Sequence, residues 1–146
     1  MSTPAPALFD NSPIDIHRFL AEFWQQKPLF IQQALPGVEA LIDQEQLFAL
    51  AESEDVESRL VTQSHGSWQV IEGPFPAGVS NADAPGQSLL VQGVDLWSPP
   101  VAQLKEAFNF LPSWRIDDIM ISYASEDGGV GPHFDYYDVF LIQGAG

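Results

Sequence analysis

The sequence Gly128-Gly129-Val130-Gly131-Pro132-His133-Phe134-Asp135 follows an apolar segment, Trp114 to Ala124, that is predicted to be a strand. Glycine and proline let the backbone turn sharply, and the residues after the turn, His133 to Gln143, are predicted to form one strand or two. Alternate residues of a strand face the same side. The side chains of His133 and Asp135 can therefore reach the same metal ion.

This pair consists of residue types that bind non-heme iron. Fe(II) accepts imidazole and carboxylate ligands, and two histidines with one carboxylate leave positions open for a cosubstrate and O2. His133 and Asp135 would supply two of these three ligands. Neither His17, on a predicted helix, nor His65, in a polar turn, is a convincing third ligand, and no candidate follows Asp135. A His-x-Asp motif is short enough to arise by chance, so a histidine paired with a carboxylate in a polar cluster remains the alternative.

Composition limits the function classes. The chain has 146 residues and a net charge of -15, with 20 acidic and five basic residues. It has no cysteine, which excludes disulfides and thiolate metal sites and fits a reducing cytoplasm. Neither a signal peptide nor an apolar run of roughly 20 residues is recognisable, so a soluble intracellular protein is predicted. The acidic surface gives solubility or attracts a basic partner, and five scattered cations cannot form a nucleic-acid-binding patch.

Local signals predict helices in the first half of the chain. Asp15 has the position of a helix cap, and Asp43 and Gln46 have the spacing of a capping box at the start of a second helix. Between them, Leu29 to Ile31 is predicted to be a short strand. A third, short helix is expected after Pro99-Pro100.

Strand-like segments follow these helices. Arg59 to Gln63 and Trp68 to Ile71 flank a predicted hairpin loop, and Ser88 to Val94 is predicted to be a buried strand. Helices followed by strands predict an α+β protein with an antiparallel sheet. A closed barrel needs about eight strands and the chain offers fewer, so a barrel cut through its middle is expected. Its exposed edge, Val139 to Ile142, is expected to make the isolated chain marginally stable and prone to associate.

Three segments, Trp114 to Ser122, Gly128 to Asp135 and Tyr137 to Gly144, closely resemble the cupin-like JmjC ribosomal oxygenases of bacteria, and among them the arginine hydroxylases of large-subunit ribosomal proteins. The resemblance runs from about residue 14 to the last residue. Shorter matches occur in the same order at Trp24 to Pro28, Ser58 to Val61, Trp68 to Val70, Gly73 to Phe75, Ser88 to Gln92 and Leu111-Pro112.

The resemblance implies the first part of a double-stranded β-helix that binds Fe(II) and uses 2-oxoglutarate as cosubstrate. The enzyme class it implies is a cytoplasmic dioxygenase that hydroxylates an arginine side chain of a basic ribosomal protein, and the full-length family forms homodimers. His133 and Asp135 match the first two iron ligands of the family. Ser122 matches a position that contacts 2-oxoglutarate. A net charge of -15 suits a basic protein partner.

The sequence also departs from the family. Family members continue past Gly144 with an arginine that binds the cosubstrate, a distal histidine, further strands, a helical dimerisation region and a winged-helix-like domain. The resemblance therefore predicts the N-terminal part of a JmjC domain over residues 14–146. Residues 1–13, which are rich in proline, serine and alanine, are predicted to be a flexible leader. The alternatives are a non-catalytic remnant or binding module for a basic protein, and a metal-binding cupin of another reaction class, such as a lyase or isomerase.

Overall fold

The computed structural model describes residues 8–10, 12–77 and 84–146. In these residues short helices accompany a four-stranded antiparallel sheet, which confirms the α+β class. The chain divides into two compact units: Met1–Leu41, Gln103–Asp117 and Tyr136–Gly146 form the first, and Ile42–Ala102 with Asp118–Asp135 form the second. Among the described residues, none of the helices has the length and apolar character needed to cross a membrane.

In the first unit, helix α1 spans Ile16–Glu22 and begins where the sequence predicts. Asp15 Oδ1 accepts a hydrogen bond of 2.8 Å from the backbone N–H of Arg18, so the predicted cap is confirmed. The buried ring of Phe19 faces an aromatic cluster made of Phe9, Trp24, Phe110 and Phe140. The helix is thus held to its unit mainly through one side chain.

The core of the first unit includes residues from the predicted leader. Leu8 is buried in a cluster with Leu35, Ala107 and Phe108, and Phe9 packs against this cluster. Residues 1–7 and 11 lie outside the described residues, so the flexible leader over residues 1–13 stays a prediction.

Two further helices begin at their predicted signals. Helix α2, Gln44–Ala51, has a complete capping box: Asp43 accepts from the backbone of Gln46 at 2.8 Å, and the Gln46 side chain accepts from the backbone of Asp43 at 3.1 Å. Helix α3, Pro99–Gln103, starts at the proline pair and continues as 3₁₀ helix through Leu104–Phe108. The predicted capping box of α2 is therefore confirmed, and so is the predicted short helix at the proline pair.

The sheet of the second unit contains β1 (Ser58–Ser64), β2 (Ser67–Glu72), β3 (Gln87–Val91) and β4 (Ile121–Ala124), in the spatial order β2-β1-β3-β4. All neighbours are antiparallel. Ser64 pairs with Ser67, so the predicted hairpin is confirmed with a two-residue turn, His65-Gly66. Both turn residues have positive φ, 50° and 80°, the backbone that suits right-handed strand twist.

Four predicted strands are wrong in whole or in part. The strand predicted over Ser88 to Val94 ends at Val91, and Val94 begins a 3₁₀ helix. No strand forms at Leu29 to Ile31, and of Trp114 to Ala124 only the last four residues pair. Before them, the Asp118 carboxylate accepts from the backbone of Gly93 at 2.7 Å, and the Ile119 N–H donates to Asp95 at 2.8 Å. These hydrogen bonds tie residues 118 and 119 to the turn at residues 93–95. A strand would instead need backbone hydrogen bonds to a neighbouring strand.

The predicted strand or strands over His133 to Gln143 also do not form within the described residues. An apolar segment becomes a strand only when a neighbouring strand shares its backbone hydrogen bonds. The edge strand β4 pairs with β3 on one side, and no described segment pairs with its other side. His133 and Asp135 are therefore placed by the glycine-rich turn before them.

Candidate metal centre

The first half of the glycine-rich turn is fastened to the start of β3. Ser125 donates its backbone N–H to the carbonyl oxygen of Gln87 at 3.0 Å, and Gly86 donates to the carbonyl of Glu126 at 2.7 Å. Gly128 then donates to the Ser125 carbonyl at 2.9 Å. A methyl group on Gly128 would collide with the carbonyl oxygen of Gln87. Only glycine fits at this position without a shift of the backbone.

The second half of the turn lies against the indole ring of Trp68, a residue of β2. Gly131 has φ +77°, a backbone conformation that favours glycine. A methyl group on Gly131 would stand 3.1 Å from Cε2 of the indole, whereas one on Gly129 would stand 3.8 Å from Cη2. The turn is thus held by backbone hydrogen bonds at one end and by an aromatic surface at the other.

The imidazole of His133 is oriented by the end of this turn. Its Nδ1 lies 2.9 Å from the carbonyl oxygen of Gly131. A carbonyl oxygen can only accept, so in this hydrogen bond Nδ1 carries the hydrogen and donates it. The neutral ring then has its lone pair on Nε2, the arrangement that a backbone carbonyl gives to many metal-binding histidines.

Asp135 lies beside the free nitrogen of this ring. Its Oδ2 is 3.6 Å from His133 Nε2, and both side chains are partly exposed. A ligand bond from nitrogen or oxygen to a first-row divalent ion is about 2.1 Å long, so two atoms at this separation can reach one ion. The donor set fits two corners of such a site. The structure brings the two residues together, and metal binding by them stays a prediction.

Ser122, the predicted cosubstrate contact, lies on one face of the sheet together with Trp68. Opposite residues of an antiparallel pair share a face, and the pairings connect Ser122 through Leu90 and Arg59 to β2. We call this the site face; it carries Ser122, Ser88, Val61, Val70 and Trp68. The other face is covered by α2, where the rings of Phe48 and Tyr123 meet at 5.3 Å. Ser122 is exposed on the site face, and its role towards 2-oxoglutarate stays a prediction.

The sequence does not predict the buried hydroxyl of Ser88 on the site face. Ser88 is 2% exposed, and its Oγ has no hydrogen-bond partner within the described residues. Its sheet neighbours are Ala124 and Val61, which offer no polar side chain. A buried hydroxyl without a partner costs about 1–3 kcal/mol of stability.

The other histidines lie elsewhere. His17 is exposed on α1, and His65 is exposed in the hairpin turn, with Nδ1 2.9 Å from Ser64 Oγ. Over residues 8–10, 12–77 and 84–146, no three histidine or carboxylate side chains come together in a group that could hold a metal. Within that part of the chain, His133 and Asp135 remain a pair.

Part of the chain matches a known protein family. Residues 103–146, which include Ser122, His133 and Asp135, match the family model described as a JmjC domain. The chain is 44% identical over 128 residues to the ribosomal protein uL16 3-hydroxylase of Escherichia coli (strain K12), and 43% identical over 129 residues to the probable ribosomal oxygenase of Haemophilus influenzae. Each alignment covers 88% of this chain, but only 34% and 32% of these relatives.

Solved structures of a ribosomal oxygenase are also similar to the chain. The chain superposes on YcfD, a ribosomal oxygenase from Escherichia coli, with a TM-score of 0.78 and 40% identity, over 84% of this chain and 34% of YcfD. One YcfD structure contains cobalt and 2-oxoglutarate, and another contains cobalt and succinic acid. The chain thus spans about a third of the length of the relatives it matches.

Proposed function

We propose that the chain is part of a JmjC ribosomal oxygenase, and that it supplies two iron ligands, His133 and Asp135, of an Fe(II)- and 2-oxoglutarate-dependent hydroxylase. One observation carries the proposal: Nε2 of His133 and Oδ2 of Asp135 lie 3.6 Å apart, and Nδ1 donates to the carbonyl of Gly131. A separation of 3.6 Å between the two atoms is compatible with both binding one ion. The residue types suit Fe(II), and they also suit the cobalt found in YcfD.

The proposed reaction hydroxylates an arginine side chain of a ribosomal protein. One atom of O2 enters the C–H bond as a hydroxyl group, and the other enters succinate. 2-Oxoglutarate is oxidised in the same turnover and loses CO2. When bound, iron supplies the redox chemistry that activates O2 for this reaction. YcfD structures that hold 2-oxoglutarate or succinic acid, the cosubstrate and its product, support this class of reaction.

Each residue of the site has a proposed task. His133 binds the metal through Nε2, and Asp135 binds it through a carboxylate oxygen. The exposed hydroxyl of Ser122 donates a hydrogen bond to 2-oxoglutarate from the site face. The relatives are about three times as long as this chain, and we propose that further residues supply the third ligand and the cation that pairs with the cosubstrate carboxylate.

The charge of the chain suits a basic substrate. Twenty acidic side chains against five basic ones attract a protein rich in lysine and arginine and raise the rate of encounter. A ribosomal protein has this character, and its modification would take place in the cytoplasm.

The test measures succinate release from 2-oxoglutarate, together with the mass of one added oxygen atom on an arginine-containing peptide of the ribosomal protein. We expect His133→Ala to lower both by at least about 100-fold, the upper end of what even outer-shell substitutions cost. His65→Ala is the matched control, because His65 is an exposed histidine in a turn of the same unit. Succinate release that is equal in His133→Ala and the unsubstituted protein would sink the proposal.

A second candidate is a non-catalytic module that binds a basic protein. It is favoured by the absence of a third ligand group over the described residues and by the net charge of -15. This candidate predicts partner binding that survives His133→Ala and no succinate release by the unsubstituted protein. The two proposals therefore give opposite results in the same pair of assays.

A further inference from the structure

We infer that Trp68 is a positioning residue for His133, and that its indole ring sets the metal affinity of the site through the backbone of Gly131. The inference rests on the proposed function, because it concerns how the proposed ligand is held. Trp68 is far from His133 in sequence, and its indole lies against the turn at Gly131. Its influence would pass through the turn that it supports.

The contact between the indole and the turn is close and lies at the ligand end. A methyl group on Gly131 would stand 3.1 Å from Cε2 and 3.4 Å from Cδ2 and Cζ2, the atoms around the fused bond of the indole. The flat ring therefore lies directly against the Cα of Gly131. The other end of the turn is held by hydrogen bonds to β3, so the indole supports the half that those bonds do not reach.

Gly131 links this contact to the imidazole. Its carbonyl oxygen accepts from His133 Nδ1 at 2.9 Å, and that hydrogen bond directs Nε2 towards Asp135. The positive φ of Gly131 aims the carbonyl, and the indole surface limits how far this peptide unit can rotate. Loss of the ring would let Gly131 move, so that His133 would occupy several orientations and either nitrogen could carry the hydrogen.

Trp68 is well placed for this task because β2 is fixed by the hairpin. Trp68 pairs with Gln63 in the tight part of the hairpin, next to the His65-Gly66 turn. The ring is 39% exposed, so one side meets the turn and part of it remains open to solvent. A half-exposed aromatic residue on an edge strand adds little to a core, which fits a role in supporting the neighbouring turn.

The first experiment titrates Co(II) into the protein expressed from its whole gene and follows the visible absorption of the bound ion. We expect Trp68→Leu to raise the dissociation constant about tenfold, the lower end of the cost of outer-shell substitutions. Trp68→Phe should recover binding to within about threefold, because a flat ring remains. Trp97→Leu is the matched control, since Trp97 is 47% exposed in the same unit and should leave the constant unchanged.

A second measurement needs no metal. The ring nitrogens of His133 are observed by ¹⁵N NMR with the imidazole neutral, and His17 and His65 serve as internal references. The unsubstituted protein should show hydrogen on Nδ1, and Trp68→Leu should shift His133 towards a mixture of the two tautomers. A change in stability alone would not move this signature, because the folded protein is observed.

Two glycine variants keep the inference open to refutation if Trp68→Leu does not fold. Gly131→Ala should weaken Co(II) binding, since its methyl group would stand 3.1 Å from the indole, so that the ring must shift, and since a side chain is strained at φ +77°. Gly129→Ala should not weaken it, since its contact distance of 3.8 Å is ordinary. Co(II) binding within twofold of the unsubstituted protein in Trp68→Leu, with an unchanged tautomer, overturns the inference alone. If the unsubstituted protein takes up no Co(II), both the inference and the proposed function fail.

Discussion

The β1–β2 hairpin and the segment from His133 to Gln143 both contain the aromatic and β-branched residues that favour strands. Within the described residues, only the hairpin forms them. In the hairpin, the two-residue turn places β2 directly beside β1. The paired residues run from Ser64 opposite Ser67 to Arg59 opposite Glu72. The later segment is as rich in aromatic and β-branched residues, and yet no described segment pairs with it. Strand-like composition therefore indicates the capacity to pair, and the pairing itself depends on a partner.

The largest effect should come from the glycine-rich turn that precedes His133. Gly128→Ala places a methyl group against the carbonyl oxygens of Gln87 and Ser125, both of which are backbone atoms. We expect the free energy of unfolding to fall by about 3 kcal/mol, the upper range for overpacked sites. Urea denaturation measures this change. Gly129→Ala is the control and should stay within about 0.5 kcal/mol, and equal losses in both variants would contradict the account.

The next effect should come from Phe140, an aromatic residue that anchors the segment from His133 to Gln143. Phe140 is half-buried, with its ring centroid 4.7 Å from that of Phe108 and 5.8 Å from that of Trp24. Removal of a buried phenylalanine ring costs about 3–5 kcal/mol, so Phe140→Ala should cost about 2 kcal/mol at a half-buried site. Thermal unfolding measures the loss.

Leu141 provides the contrast, because it is 92% exposed. Leu141→Ala should change stability by less than about 0.5 kcal/mol but should reduce self-association of the isolated chain in light scattering, because an exposed apolar segment favours association. Equal destabilisation by the two substitutions would show that the segment is packed along its whole length.

The smallest effect should come from the hairpin turn. Gly66 has φ +80° and open space around it, so Gly66→Ala introduces backbone strain without a collision. We expect a loss of about 1 kcal/mol. Gly144→Ala, in open space without a positive φ, should be neutral. If Gly66→Ala were also neutral in chemical denaturation, the tight turn would not be what fixes the hairpin register.

The features that could be predicted from the sequence depend on residues close together in the chain. The caps at Asp15 and Asp43 and the hairpin around His65-Gly66 each need only a few neighbouring residues. The part of the predicted strand Trp114 to Ala124 that precedes β4 was wrong because Asp95 and Asp118 hold the backbone through bonds that cross more than twenty residues. A pattern of apolar residues carries no information about such bonds.

In the candidate site, too, the features set by neighbouring residues could be predicted and those set by distant residues could not. His-x-Asp and the glycines before it are local, and the sequence identified both. The support from Trp68 and the buried hydroxyl of Ser88 depend on β2 and β3, which lie far from the motif in sequence. The pairing of Gln63 with Trp68 could have been read from the hairpin, but the approach of Gly131 to that indole could not.

The central claim is that His133 and Asp135 hold one metal ion. It is tested most directly by an anomalous difference map at the cobalt absorption edge, from crystals of the protein grown with Co(II) and 2-oxoglutarate. We expect a single strong anomalous peak about 2.1 Å from both His133 Nε2 and an Asp135 carboxylate oxygen. A peak bound to other residues, with no density between this pair at saturating Co(II), would contradict it.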